Sequence, residues 1–148
     1  MGDQAEAIDQ ATATDIPALA DLRTVLFTQE ADFCPDRQKQ MRGLRMLIEA
    51  PDAGRIFIAR VDGGVVGMVS LLFTVSTAQG APTCWSFGPT IGAADSAHGC
   101  WSTRSATPRP IGFLELRLLT DRTNARAIRF YERHGFRPSE MIPLRLFL

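Results

Sequence analysis

The sequence predicts an α/β fold in which a mixed central sheet is flanked by helices. Two observations predict the sheet: a hairpin pattern rich in β-branched residues covers 55–75, and a second apolar strand, FLELRLLT, covers 113–120. A third observation predicts the helices, because apolar residues recur at helical spacing before the hairpin and after the second strand. This mixture of elements is typical of a layered α/β domain. We expect a single domain over residues 1–148.

Two helices are predicted in the N-terminal part of the chain. Thr14 precedes the run DIPALA and is predicted as the N-cap of a helix that extends to about Thr28. Pro17 is tolerated there because the first helical turn has N–H groups without intrahelical partners. A second helix is predicted over 35–50, and the run PDAG at 51–54 ends it.

The middle of the chain carries a hairpin and then a stretch without periodicity. Strands are predicted over 55–61 and 65–75, and the DGG sequence between them favours a turn with positive φ. Residues 86–110 are dominated by Ser, Gly, Ala, Thr and Pro and show neither strand nor helix periodicity. We therefore expect an irregular segment at 86–110, a length that is unusual inside a compact domain.

The C-terminal part is predicted as strand, helix and strand. The strand over 113–120 leads through DRTN into ARAIRFYERHGF, which has helical periodicity. Gly135 is placed to end this helix in the left-handed conformation, which glycine adopts without a steric penalty. The closing residues 141–148 are rich in leucine and predict a last strand.

Composition restricts the class of function. Sixteen basic residues balance sixteen acidic ones, so we expect neither nucleic acid nor a membrane surface as a partner, and a small partner instead. The three cysteines are widely spaced and the start lacks a signal-peptide pattern, which predicts a cytoplasmic location. Cys84, His98 and Cys100 lack the spacing of metal ligands, and no metal site is expected.

One run carries a family resemblance. The sequence LLTDRTNARAIRFYERHGF at 118–136 resembles the strand-to-helix segment of the GNAT N-acetyltransferases, in which an Asn opens the helix and a Tyr follows within FY-x-x-x-GF. The run ATATDIPALADLRT is similar to the first helix of that family, and RIFIARVDGGVVGMVSLLF is similar to its second and third strands. The resemblance thus covers most of the chain and implies the GNAT-like acyl-CoA N-acyltransferase fold.

The resemblance also implies an activity and a set of site residues. It implies transfer of an acetyl group from the co-substrate acetyl-CoA to an amine of a small molecule, peptide or protein, and it leaves a homodimer open. It places Tyr131 at the sulfur of acetyl-CoA as a catalytic acid, Asn124 beside the pantetheine arm, and Ala127 where a small residue lets the cofactor approach. Arg126, which lies on a basic helix face, and Phe130 are the remaining cofactor-binding candidates.

The proposed role of Tyr131 has a chemical reason and a structural alternative. An alkyl amine with a pKa of about 10.4 must lose a proton before it attacks, at a cost of about 4.6 kcal/mol at pH 7. The leaving thiolate, with a pKa of about 8.5, needs a proton, which a phenol with a pKa of about 10 still holds. The alternative is that Phe130 and Tyr131 only pack in the core, with the hydroxyl bonded to the backbone.

The sequence departs from the family after the hairpin. GNAT proteins carry an acidic fourth strand and then R/Q-x-x-G-x-G/A at a helix start, where N–H groups hold the pyrophosphate. Ser86-Phe87-Gly88-Pro89 stands here instead, so this motif is missing or scrambled and no general base is identified. Either 86–110 is a true loop, or it is read in a shifted frame. In that frame FGPTIGAADSAHGCW can spell RPDHRGRGLGTRLL, which contains the motif.

The lost motif has an energetic consequence. About three charge-assisted hydrogen bonds to phosphate are worth roughly 1.5–3 kcal/mol each, whereas micromolar binding is worth only about 8 kcal/mol. We therefore expect acetyl-CoA to bind weakly or not at all, unless Gly88, Gly92 or Gly99 forms a substitute anion site. This departure keeps a second function open, a catalytically inactive GNAT-like binding module.

Overall fold

The computed structural model describes residues 7–29, 36–87, 90–91 and 113–148. In chain order the elements are β1 (Ala7–Gln10), a short 3₁₀ turn (Ala13–Asp15), α1 (Ile16–Gln29), α2 (Arg37–Ile48), β2 (Gly54–Val61), β3 (Gly64–Ser76), β4 (Ala81–Phe87), β5 (Thr90–Ile91), β6 (Leu116–Leu119) and α3 (Ala125–Arg133). The sheet has the order β1-β2-β3-β4-β6, and β5 pairs with β3. Strands β1 to β4 pair antiparallel, whereas β4 and β6 pair parallel. The predicted mixed α/β sheet is confirmed.

The β2–β3 hairpin forms as predicted. Asp62 and Gly63 have φ angles of 51° and 78°, the positive values that a two-residue hairpin loop requires. Gly64 belongs to β3 and pairs with Val61, so it lies in the strand and not in the turn. This hairpin forms the centre of the sheet, with β1 on one side and β4 on the other.

Side chains of β2 and β3 alternate between two hydrophobic clusters, one on each face of the sheet. The cluster beneath α1 and α2 contains Ala11, Ile16, Leu19, Ala20, Leu44, Ile56, Ile58 and Met68. The cluster on the opposite face contains Phe57, Ala59 and Val69, against which Leu71 packs. Leu71 pairs with Ser86 of β4, which pairs with Leu118 of β6, and Leu118 packs against α3. Because paired residues point to the same face, α3 covers the face opposite α1 and α2.

Both N-terminal helices form, but the first begins differently from the prediction. Thr14 is not an N-cap, since it lies inside the 3₁₀ turn that precedes α1. The Oδ2 atom of Asp15 accepts a hydrogen bond of 2.9 Å from the N–H of Thr12, which fixes this entry turn. Helix α2 is confirmed with shorter bounds, Arg37–Ile48, and Asp36 is its N-cap, because the Asp36 Oδ1 accepts from the N–H of Lys39 at 3.0 Å.

Two other predictions need correction. The predicted last strand at 141–148 is wrong, because a strand needs a neighbouring strand and none of the described ones pairs with these exposed residues. The prediction of an irregular segment over 86–110 is wrong at residues 86–87 and 90–91, because these residues pair with β3 or β6. The rest of that segment lies outside the described residues. Strands β1 and β4 were not predicted, whereas the strand at 113–120 is confirmed over Leu116–Leu119.

Candidate functional site

The parallel pair β4–β6 and the start of α3 define one end of the sheet. Cys84 pairs with Leu116 and Phe87 pairs with Leu119, so both strands run in the same direction toward this end. Helix α3 follows β6 after a short turn, which puts Asn124 beyond the carboxyl end of the pair. Open α/β sheets bind ligands outside the carboxyl ends of their parallel strands. This end is therefore the candidate site.

Local hydrogen bonds fix the start of α3. The Oδ1 atom of Asp121 accepts from the N–H of Thr123 at 2.8 Å, and the Asp121 carbonyl accepts from the N–H of Asn124 at 3.0 Å. The Oδ1 atom of Asn124 accepts from the N–H of Ala127 at 3.1 Å and caps the helix. Asn124 is exposed, and its Nδ2 group is the donor that the cap does not use. The positive end of the helix dipole favours an anionic or carbonyl group here.

The buried face of α3 carries three of the predicted site residues. Ala127, Phe130 and Tyr131 are 7%, 8% and 5% exposed, and Leu118 and Phe136 pack against them. The rings of Tyr131 and Phe136 meet edge to face, with 5.6 Å between their centroids. Phe130 and Tyr131 therefore both pack in the core, as the structural alternative expects, and a catalytic role of the Tyr131 hydroxyl stays a prediction.

The end of α3 explains the spacing of the FY-x-x-x-GF run. Gly135 has a φ of 87°, which confirms the predicted left-handed helix end. The chain reversal lets the N–H of Phe136 donate to the carbonyl of Tyr131 at 3.0 Å. His134 Nδ1 lies 2.7 Å from the carbonyl oxygen of Phe130, so the carbonyl of Phe130 also has a polar partner in the last turn. The Gly-Phe end therefore holds the Tyr131 backbone in place.

Ser86 is a candidate site residue that the sequence did not reveal. It pairs with Leu118, and its side chain lies on the face of the sheet that α3 covers. Ser86 is 0% exposed, and its Oγ has no hydrogen-bond partner within the described part of the chain. Because buried hydroxyl groups normally have a partner, the Ser86 hydroxyl is a candidate for a contact with a ligand or a water molecule. A serine inside a Ser- and Gly-rich run carries no sequence signal that separates it from a loop residue.

The pairing along β3 changes register close to Ser86. Leu71 of β3 pairs with Ser86, and Met68 pairs with Thr90. Two residues of β3 lie between these pairs, whereas three residues separate Ser86 from Thr90. The pairing of β5 with β3 is therefore offset by one residue from the pairing of β4 with β3.

The outer side of α3 carries exposed basic residues. Arg126 is exposed in the first turn, and farther along the helix an open hollow of about 400 Å³ is lined by Arg129, Glu132 and Arg133. These side chains are exposed, whereas Tyr131 lies on the buried side of the helix. The hollow is therefore separate from the candidate site, whereas Arg126 lies close to the helix start.

Solved structures resemble this chain over almost its whole length. A possible acetyltransferase from Clostridium difficile 630 superposes with a TM-score of 0.81 at 14% identity, covering 97% of each chain. The ribosomal-protein-alanine N-acetyltransferase from Brucella melitensis biovar Abortus 2308 gives 0.69 at 18% identity, covering 97% of this chain and 99% of that one. A predicted acetyltransferase with acetyl-CoA from Clostridium acetobutylicum gives 0.65 at 13% identity, covering 95% and 96%.

The chain has the GNAT acyltransferase fold. At these identities the likeness is one of fold, and it confirms the fold that the sequence resemblance implied. No protein-family model matches the sequence, and the comparison with curated proteins gives no match.

Part of the GNAT site predicted from sequence falls outside the described residues. This applies to Gly88, Gly92 and Gly99, and to almost all of 86–110, the segment that is either a true loop or a product of a shifted reading frame. Within the described ranges no group of three His, Cys, Asp or Glu side chains is arranged to hold a metal ion. The helices of the described parts are too short or too polar to cross a bilayer.

Proposed function

We propose that this chain is an N-acetyltransferase that moves an acetyl group from acetyl-CoA to an amine of a small molecule or a peptide. The arrangement that carries the proposal is the Asn124 cap of α3 beyond the parallel β4–β6 pair, within a GNAT fold. Tyr131 and Ser86 belong to the same face of the sheet. The balanced charge supports a small acceptor and neither nucleic acid nor a membrane, and we propose that the protein acts in the cytoplasm.

Acetyl-CoA supplies a thioester whose carbonyl carbon the amine attacks, with cleavage of the carbon–sulfur bond. The buried Oγ of Ser86 has an unused hydrogen to donate to the carbonyl oxygen, where negative charge develops. The Tyr131 hydroxyl gives its proton to the leaving sulfur, and the proton that the amine loses passes through water and restores the Tyr131 hydroxyl. Asn124 Nδ2 donates to an amide carbonyl of the pantetheine arm, and Arg126 faces its phosphates. Ala127 leaves room for the cofactor beside the helix.

The second candidate function is a catalytically inactive module that binds a ligand or protein with the same fold. The observation that favours it is the sequence after β4, where the glycine-rich pyrophosphate motif has no counterpart. The positive end of the α3 dipole and the exposed Arg126 supply only part of what that motif provides for the pyrophosphate. Binding of acetyl-CoA and release of its thiol distinguish the two candidates.

The test is thermal unfolding with and without 1 mM acetyl-CoA, together with release of free thiol in the presence of a panel of amines and peptides. A ligand at about 100 times its Kd stabilises by about 2.7 kcal/mol, which shifts the Tm of a chain of this size by several degrees. Arg126→Gln should reduce this shift. Arg133→Gln, a matched change at the separate hollow, should leave it unchanged.

Tyr131→Phe separates catalysis from packing. The phenylalanine keeps the ring contact with Phe136, so we expect an unchanged Tm shift and thiol release slower by about 10²- to 10⁴-fold. A shift without thiol release for any amine of the panel would support the inactive module. No shift and no release would contradict the acetyltransferase and would fit an inactive module that binds a different ligand.

A further inference from the structure

Lys39 is the only lysine among the sixteen basic residues of the sequence. The other basic residues are arginines, whose guanidinium group stays protonated in proteins and does not act as a nucleophile. A lysine amine, by contrast, attacks a carbonyl carbon once it has lost a proton. Lys39 is therefore the one side chain of this sequence that has the chemistry of an amine acceptor.

The surroundings of Lys39 leave its amine open to a reaction partner. Lys39 lies in the first turn of α2, and its side chain is 74% exposed. An ion pair with Asp36, with 3.6 Å between Nζ and Oδ2, is exposed and therefore weak. The helix dipole disfavours a positive charge in a first turn. Acetylation would remove this repulsion together with the weak attraction, so α2 tolerates the neutral product.

The direction of α2 puts Lys39 at the same end of the molecule as the candidate site. Strands β2 and β4 run in the same direction, because each pairs antiparallel with β3, so the start of β2 lies at the end opposite the site. Leu47, in the last turn of α2, lies against Gly54 at the start of β2. Leu44, one turn earlier, belongs to the cluster that contains Ile58, farther along β2. The first turn of α2 therefore points toward the carboxyl ends of β4 and β6.

The candidate site of the same chain is out of reach of Lys39. Helix α2 packs on β2, and β3 separates β2 from the β4–β6 pair. Neighbouring strands are about 4.8 Å apart, so this pair lies roughly 10–14 Å to the side of β2. Ser86 and α3 also lie on the opposite face of the sheet. The four-carbon stem of one lysine does not cover both separations, so an acceptor Lys39 must come from a second copy.

We propose that one copy of the chain acetylates Lys39 of a second copy, an inference that rests on the proposed acetyltransferase function. The neutral Nζ amine attacks the thioester carbonyl carbon of acetyl-CoA, so that a carbon–nitrogen bond forms and the carbon–sulfur bond breaks. The leaving sulfur takes the Tyr131 proton, and the proton that Nζ loses passes through water and restores the Tyr131 hydroxyl. The products are a neutral acetamide on Lys39 and the free thiol of coenzyme A.

The positions of Lys39 and the site make this reaction reciprocal. Both lie at one end of the molecule, so two copies related by a two-fold axis that meet by these ends each offer Lys39 to the site of the other. The rate for each copy then depends on the concentration of the other copies. A reaction within one chain, or a chemical acetylation by acetyl-CoA alone, lacks this dependence.

The test uses the native chain at low concentration with 1 mM acetyl-CoA, with and without a tenfold excess of Lys39→Arg. This variant keeps the charge and the site but has no side-chain amine to modify. Because the step joins two copies, we expect the excess to accelerate acetylation of the native Lys39 by about tenfold. Mass spectrometry of the Lys39 peptide measures the rate and separates this amine from the α-amino group of the chain.

A second variant moves the lysine along the same helix. Lys39→Arg combined with Arg45→Lys keeps the charge of α2 and places the amine at an exposed position in the last turn, away from the site end. When this variant replaces the native chain as the acceptor, its lysine should be acetylated at least about tenfold more slowly, because the amine is displaced from the productive position. Far-UV circular dichroism should show the same secondary structure in both acceptors.

Three outcomes would overturn the inference. The first is a rate that the excess of Lys39→Arg does not change, and the second is an equal rate for the two lysine positions. If Lys39→Arg still releases thiol with an amine of the panel in either case, the acetyltransferase stands and Lys39 is not its acceptor. The third outcome is a Lys39→Arg chain that releases no thiol with any amine, which contradicts the proposed function and this inference with it.

Discussion

Asp15 and Arg60 form an ion pair across 45 residues of sequence, with 2.6 Å between Oδ1 and Nη2. Asp15 lies in the turn that starts α1, and Arg60 lies near the end of β2, so the pair joins the helical layer to the sheet. The Asp15 side chain is 8% exposed. Burial raises the pKa of this carboxyl, but the Thr12 N–H and the Arg60 guanidinium outweigh that effect and hold the pKa below its ordinary value.

The lowered pKa of Asp15 predicts a loss of stability in acid. A carboxyl with a lower pKa in the folded state contributes stability above its unfolded pKa of about 3.9, and this contribution is lost as the pH falls through the folded pKa. Asp15→Asn should lower the free energy of unfolding at pH 7 by about 1.5–3 kcal/mol, since it removes a buried charge-assisted hydrogen bond. Urea unfolding at pH 7 and pH 3 measures both effects, and the variant should lose less stability than the native chain between them.

Asp9→Asn is the matched control for that prediction. Asp9 also contacts Arg60, with 3.4 Å between Oδ2 and Nε, but its side chain is 55% exposed. Exposed ion pairs contribute at most about 1 kcal/mol. Equal losses for the two variants at pH 7 would mean that burial of Asp15 does not strengthen its pair with Arg60.

Asn124 allows the cap and the proposed ligand contact to be separated. Asn124→Ala should lower the free energy of unfolding by about 1 kcal/mol, because the N–H of Ala127 loses its acceptor. Asn124→Asp keeps an acceptor oxygen at the helix start and should therefore keep the stability. It removes the Nδ2 donor, however, and should reduce the Tm shift with acetyl-CoA. A full shift in Asn124→Asp would assign Asn124 to the helix cap alone.

Cys84 should be unreactive in the folded protein. Burial raises the pKa of its thiol to about 11, and the thiolate is the form that reacts. Relative to an ordinary value near 9.0, alkylation by iodoacetamide at pH 8 should be about 100-fold slower in the native chain than in urea. Mass spectrometry of the Cys84 peptide follows this residue separately from the other two cysteines. Equal rates in both states would contradict the buried position of the thiol.

An element can be predicted from the sequence when its own residues carry the signal. The prediction fails where pairing with a distant strand determines the local structure. The β2–β3 hairpin and α3 carry their own turn, cap and periodicity, so Asp62-Gly63, Asn124 and Gly135 are recognisable without a structure. Strand β4 carries no such signal. Its buried positions include Ser86, a small polar residue that is common in turns and lies in a strand here because β3 and β6 pair with it.

The opposite error occurs at the C-terminus. Residues 141–148 have the alternating apolar pattern of a strand. A strand also needs a neighbouring strand to form hydrogen bonds with its backbone N–H and C=O groups, and the pattern does not show whether one is present. The predicted site shows the same limit. The family resemblance identifies Tyr131 and Asn124 on α3, whereas Ser86 becomes a candidate only through the pairing of two strands that are more than twenty residues apart.

Ser86 and Ser70 give a paired test of whether a buried hydroxyl serves a ligand. Both are almost fully buried, and no described residue forms a hydrogen bond with the Oγ of either serine. Ser70 pairs with Ile56 of the cluster beneath α1 and α2, so it points to the face opposite Ser86. Removing either hydroxyl removes an unpaired buried polar group, and Ser86→Ala and Ser70→Ala should each raise the free energy of unfolding by up to about 1–3 kcal/mol.

The two serine variants should differ once acetyl-CoA is present. Ser86→Ala should reduce thiol release by about 10²-fold, since it removes a donor to the developing negative charge, whereas Ser70→Ala should keep the native rate. Urea unfolding without ligand measures the free energy of unfolding of each variant. This measurement shows whether a loss of activity results from unfolding. If both variants gain stability and release thiol at the native rate, Ser86 is a packing residue, and the hydrogen bond to the carbonyl oxygen must come from another group.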